Sequence, residues 1–144
     1  MQKDNKSTKF IGIDWGEKRI GLAVADNETW MAMPLAIVYS YEELVEFLAV
    51  EQPDQLIVGM PYTMAGKIGA TAEKVNNFIK ILKTNTHCPI TTYDERLTSS
   101  AVDSLYDNER RPQERDAIAA MIMLQGYIDQ LDKGQTKAEN SYQI

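Results

Sequence analysis

One cysteine and one histidine stand in the 144 residues, and that scarcity removes whole classes of chemistry. Cys88 alone can form neither an intrachain disulfide nor a cysteine-based metal cluster. His87 is the one imidazole open to a zinc site or a Ser-His-Asp triad. It lies in a polar loop between Thr84 and Pro89 and reads as a surface residue. Basic residues are also short, 15 against 21 acids, for a net charge of −6. A general cationic coat for nucleic acid is thereby excluded, but a local patch acting within a Debye length is not. No apolar run of eighteen residues and no signal segment is present, which implies a soluble, cytoplasmic protein with no membrane partner. Internal repeats and linkers are lacking too. The length suits one domain, and a hydrophobic fraction of 44% suffices for one core.

What is present begins with alternating and continuous apolar runs. Phe10–Asp14 and Arg19–Ala25 read as strands joined by a tight turn, and Pro34–Tyr39 can complete a three-stranded meander. The period then changes. Leu44, Val45, Phe47 and Leu48 fit a helix from Tyr41 to Glu51, ended by Pro53. Leu56–Gly59 is the short unbroken run of a buried parallel strand. Ala72, Val75, Ile79 and Leu82 place a helix over 71–83, and Pro89–Tyr93 is a β-branched strand. Thr98 or Ser99 can cap a further helix to Asp107, and a last helix runs from Arg115 to Leu131. Residues 1–8 read as frayed, 9–131 as one domain, and 132–144 as a flexible tail. The order implies an α/β fold: a mixed sheet, an antiparallel meander plus parallel strands, flanked by helices.

Acids stand at the ends of these elements. Asp14 closes the first strand, Asp94 and Glu95 close the last, and Asp116 opens the last helix. In open α/β sheets, ligands bind outside the carboxyl ends of parallel strands. Ala117, Ala119 and Ala120 are small enough to let the helix bring Asp116 toward the other acids. Carboxylates that converge without cations repel one another, and a divalent ion relieves that repulsion. Mg²⁺ in such a site supports in-line phosphodiester hydrolysis. Singly, each acid has a plainer reading: Asp14 as a turn residue, Glu95 as the ion-pair partner of Arg96, Asp116 as a helix-dipole partner. Asp94 and Glu95 are neighbours on extended chain and point to opposite faces, so the two cannot serve equally.

Seven cations lie near the acids in sequence: Lys18, Arg19, Lys67, Arg96, Arg110, Arg111 and Arg115. They can neutralise phosphates beside a scissile bond, or simply balance local acids. The loop over 60–70 superficially suggests a P-loop. It fails, because Gly59 and Gly66 are too far apart and Ile68 stands where Ser or Thr is required. Its length still favours a functional loop over a plain connector.

The chain resembles the YqgF/RuvX family, of the RNase H-like fold and related to RuvC-type junction resolvases. The likeness spans Phe10 to Leu131 and rests on four motifs in order. These are Gly12–Gly21, Val58–Pro61, Asp94–Thr98, and Asp116–Ala120 with Leu124–Tyr127. It implies a Mg²⁺- or Mn²⁺-dependent nuclease with Asp14, Glu95 and Asp116 as catalytic and metal-binding acids and Asp94 in support. Lys18, Arg19, Lys67, Arg96, Arg110 and Arg111 are then the nucleic-acid contacts. The resemblance favours maturation of the 5′ end of pre-16S rRNA, with branched DNA as the alternative substrate. The protein would be a monomer or, as a resolvase needing two active sites, a homodimer. Trp15, Ala25 and Ala65 depart from the family's usual Tyr, Ser and acid. Two other classes share parts of this pattern. An actin-like ATPase also opens with Asp-x-Gly but needs two lobes, and a non-catalytic nucleic-acid-binding module would dispense with the acids.

Overall fold

The computed structural model describes residues 7–61, 69–95 and 112–141, with the side chains of the last helix described over 114–132. Its strands are β1 (Lys9–Asp14), β2 (Ile20–Asp26), β3 (Met33–Val38), β4 (Gln55–Met60) and β5 (Ile90–Asp94). Its helices are α1 (Tyr41–Glu51), α2 (Ala70–Lys83) and α3 (Pro112–Ser141). The five strands form one sheet in the order β3-β2-β1-β4-β5. β1, β2 and β3 are the antiparallel meander, and β4 and β5 continue parallel to β1. The expected mixed sheet is therefore present. Pro34 sits in edge strand β3, the place where a sheet tolerates a residue without an N–H.

Strand alternation divides the sheet between two cores. Ile11, Ile13, Leu22, Leu56 and Val58 point to one face and pack with Leu44, Leu48, Val75, Ile79 and Leu82 of α1 and α2. Phe10, Ala23, Ala25 and Ile57 point to the other and pack with Ala120, Met123, Leu124 and Ile128 of α3. The second core is built from smaller residues, so α3 lies close to the sheet. A Cβ on Gly12 would come within 2.9 Å of the Leu124 Cβ. α1 stops as expected: Gln52 adopts φ 51° and its amide donates to the Leu48 carbonyl, just ahead of Pro53.

α3 differs from the sequence expectation at both ends. It starts at Pro112 rather than Arg115, because proline's fixed φ and absent N–H suit a first helical turn. Its helical backbone also runs to Ser141, through the segment expected to be a flexible tail; 132–141 contains no proline to stop it. The helix expected from Thr98 or Ser99 lies outside the described residues. No helix among the described residues is long and apolar enough to cross a membrane. Replacing Gly21 tests the close approach of α3. A Cβ there would lie 2.5 Å from the Asp116 carbonyl carbon and 3.0 Å from the Ala117 nitrogen. Both are backbone atoms, which cannot rotate away. Gly21→Ala should destabilise the protein by about 1–3 kcal/mol in chemical denaturation, and a neutral or stabilising result would show that α3 can shift freely.

Candidate active site

Alternation places the decisive side chains on the α3 face at the carboxyl edge of the sheet. Asp14 shares that face with Phe10 and Gly12, and it pairs in register with Gly21 of β2. Glu95 follows β5 and continues the face of Tyr93, which packs edge-on against Tyr127 of α3. Gly59 of β4, the register partner of Tyr93, leaves the space that the Glu95 side chain occupies. A Cβ on Gly59 would stand 2.7 Å from both Glu95 Cγ and Cδ. Asp116 is brought in by the backbone contact of α3 with Gly21. It lies one turn inside the helix, not at its opening residue as the sequence suggested, because the helix begins at Pro112. Three elements remote in sequence thus deliver Asp14, Glu95 and Asp116 to one place. Asp94 follows Tyr93 by one residue and so belongs to the opposite face.

The electrostatics express that crowding. Asp14 has its pKa raised well above the usual carboxylate range. Burial is the largest cause, followed by the charge of Glu95, a hydrogen bond with Glu95, and the charge of Asp116. A bond between two carboxyls requires a proton, and the raised pKa of Asp14 favours keeping one between them. Asp116 is neutralised differently. The Arg19 Nε donates to its Oδ2 at 2.6 Å, and this partnership raises the Arg19 pKa further. On sequence alone the converging acids lack cations and Arg19 is a phosphate contact. Instead, the turn after β1 sends Arg19 back to an acid 97 positions away. No distance in sequence hints at that pair.

Among the described residues, no three acid, histidine or cysteine side chains stand close enough to hold a metal ion as arranged. With Arg19 already on Asp116, the three acids are assembled but not opened toward a common ion. Of the other expected contacts, Lys18 is exposed on the β1–β2 turn. Lys67, Arg96, Arg110 and Arg111 lie outside the described residues, as does most of the 60–70 loop. His87 is exposed in its loop, and Cys88 is a free, half-buried thiol. Gln125, part of the Leu124–Tyr127 motif but given no role there, accepts from the Ala32 amide and donates to the Trp30 carbonyl, tying the β2–β3 connection to α3. The structure also shows Tyr39 and Tyr41 near the β1–β2 turn. An exposed tyrosine ending a strand was the available signal.

The raised pKa of Asp14 has a consequence for stability. Well below pH 4, aspartates of the unfolded chain hold their protons, as Asp14 does when folded, and no penalty arises. As pH rises the unfolded chain releases that proton while folded Asp14 retains it, so stability falls toward neutrality. Asp14→Asn keeps a donor for Glu95 and removes the titration. Without metal, its melting temperature should exceed that of the wild type at neutral pH, and the gap should close well below pH 4. A gap of equal size at both pH values would contradict the assignment.

Comparison with known proteins identifies the fold and the family. Solved structures show the same fold at low sequence identity. The fowlpox virus resolvase in complex with Holliday junction DNA superposes with a TM-score of 0.58 at 15% identity, over 86% of this chain and 99% of that one. Thermus thermophilus RuvC with a Holliday junction substrate gives 0.53 at 17%, over 84% and 94%. The sheet and its helices are therefore RNase H-like. Among curated sequences, a provisionally named pre-16S rRNA nuclease of Chloroflexus aggregans is 32% identical, covering 83% of this chain and 92% of its own length. Its namesake in Protochlamydia amoebophila is 32% identical over 90% and 98%, and that of Bacillus subtilis 29% over 86% and 99%. The family profile described as RuvX, Holliday junction resolvase, matches residues 8–130, and the chain belongs to the RuvX family.

Proposed function

We propose that this chain is a divalent-metal-dependent nuclease that hydrolyses phosphodiester bonds in maturing the 5′ end of pre-16S rRNA. The observation that carries the reading is the crowding of Asp14 against Glu95 and Asp116 at the carboxyl edge of the sheet. A fold that only needed stability would not hold a half-buried acid against two others, since the repulsion weakens it. Hard oxygen donors suit Mg²⁺ or Mn²⁺, and such an ion supplies charge for the attacking and leaving oxygens. Asp14 and Glu95 would give up the proton they share and offer oxygens to the ion. Asp116 would join them when Arg19 turns away. Arg19 and Lys18 would then face the phosphates that flank the scissile bond, as would Lys67, Arg96, Arg110 and Arg111 outside the described residues. Asp94, on the opposite face, would act only in support.

The relatives' name favours the rRNA precursor. The family description and the junction-bound structural neighbours favour branched DNA as the second reading. Purified protein offered matched RNA and junction-DNA substrates separates the two. With Mg²⁺ present, Asp14→Asn and Glu95→Gln should each abolish cleavage, whereas Asp94→Asn should lose far less. Full activity in Asp14→Asn would sink the site, and a larger loss in Asp94→Asn than in Glu95→Gln would exchange their roles. Binding has its own test. The Lys67→Ala, Arg111→Ala double variant should bind substrate more weakly. Its plot of log affinity against log salt should flatten by about 0.7–0.9 for each phosphate no longer neutralised. Unchanged affinity and slope would mean that these cations serve local acids instead.

A further inference from the structure

Two cavities lie around Trp15, on the sheet face away from α3. One, of about 200 Å³, is lined by Trp15, Arg19, Tyr39 and Tyr41 among others. The second, of about 590 Å³, extends past Lys74 toward Ile81. Both have Trp15, Glu17, Tyr41 and Phe78 in their walls, so they form one continuous groove. Buried Phe78 packs at 6.2 Å from the Trp15 ring and edge-on at 6.4 Å from Tyr41. Tyr39 and Ile81, by contrast, are large apolar surfaces left open, 58% and 53% exposed.

The groove is continuous with the acids through two links. Trp15 is the residue after Asp14, and Arg19, in the groove wall, holds Asp116. Cations gather at its rim although the whole chain is acidic: Lys18, Arg19 and Lys74, the last paired with Glu17 across the opening. An apolar peptide would use the walls but gain nothing from the cations. Unpaired nucleotides use both features, since their bases stack on aromatic rings while their phosphates take cations. A regular duplex keeps its bases stacked inside and cannot enter such a groove.

We propose that this groove is a subsite for unpaired nucleotides flanking the scissile bond, with Tyr39 and Trp15 stacking on bases and Lys74 leaving Glu17 for a phosphate. The inference rests on the nuclease reading and narrows its substrate to nucleic acid with a single-stranded flank.

The test measures binding in EDTA, so that no cleavage intervenes, with a short labelled single-stranded oligoribonucleotide and a blunt duplex of equal length. Tyr39→Ala should weaken single-strand binding by about tenfold, while Tyr39→Phe, which keeps the ring, should bind as the wild type does. Ile81→Glu, an exposed change that puts a negative charge in the groove, should weaken it as well. Duplex binding should change little in all three. In a Trp30→Phe background, where Trp15 is the remaining indole, the single strand should quench tryptophan emission. Single-strand affinity unchanged in both Tyr39→Ala and Ile81→Glu overturns the subsite, as does an equal loss for the duplex. An emission maximum that shifts with protein concentration without nucleic acid also overturns it and marks a contact between copies. If the wild type still cleaves RNA or junction DNA with Mg²⁺, those results leave the nuclease reading intact. A wild type that neither binds nor cleaves either substrate removes both.

Discussion

The close approach of α3 to the sheet is the constraint on which the carboxyl edge depends. Gly12 and Gly21 admit the helix because neither carries a side chain that would meet it. Ala23, Ala25, Ala117 and Ala120 keep the seam thin. A thicker seam would carry Asp116 away from Asp14 and dissolve the cluster. The same face shows the complementary device at Gly59, where a missing side chain is filled by the Glu95 carboxylate arm. Glycine here is a matter of vacated volume. None of these three positions needs a left-handed backbone.

Charge follows from that geometry. Three acids gathered at one edge store repulsion, and the protein relieves it in two ways: a proton retained between Asp14 and Glu95, and Arg19 on Asp116. Both are exchangeable. A proton and a guanidinium can each give way to a divalent ion, and a guanidinium so released stands where phosphate arrives. The resting arrangement is thus a charge-balanced precursor of the proposed working site, with Arg19 as its movable part. The acidic balance of the whole chain poses no obstacle to a polyanionic substrate when cations are concentrated at the edge that meets it.

The two faces of the sheet divide the labour. The α3 face carries the acids in a thin, small-residue seam. The opposite face carries the bulky core of α1 and α2, and its aromatic margin at Trp15, Tyr41 and Phe78 opens into the groove. One strand, β1, serves both, because Asp14 and Trp15 leave it in succession toward different sides.

The sequence by itself determined the strands, the first two helices, the parallel placing of β4 and β5 on β1, and the positions of Asp14 and Glu95 at strand ends. These are local properties: period-two and period-3.6 apolar patterns report which face of a segment is buried, and a short connection limits where the next segment can go. Even the separation of Glu95 from Asp94 follows from strand alternation. The start of α3 was misplaced by three residues because Pro112 reads equally as a breaker and as a first-turn residue, and only docking decides. The Arg19–Asp116 pair, the space at Gly59 and the groove beside Trp15 were illegible. Each joins residues far apart in sequence, and their distances are set by how closely helix and sheet pack, a quantity that no local pattern contains.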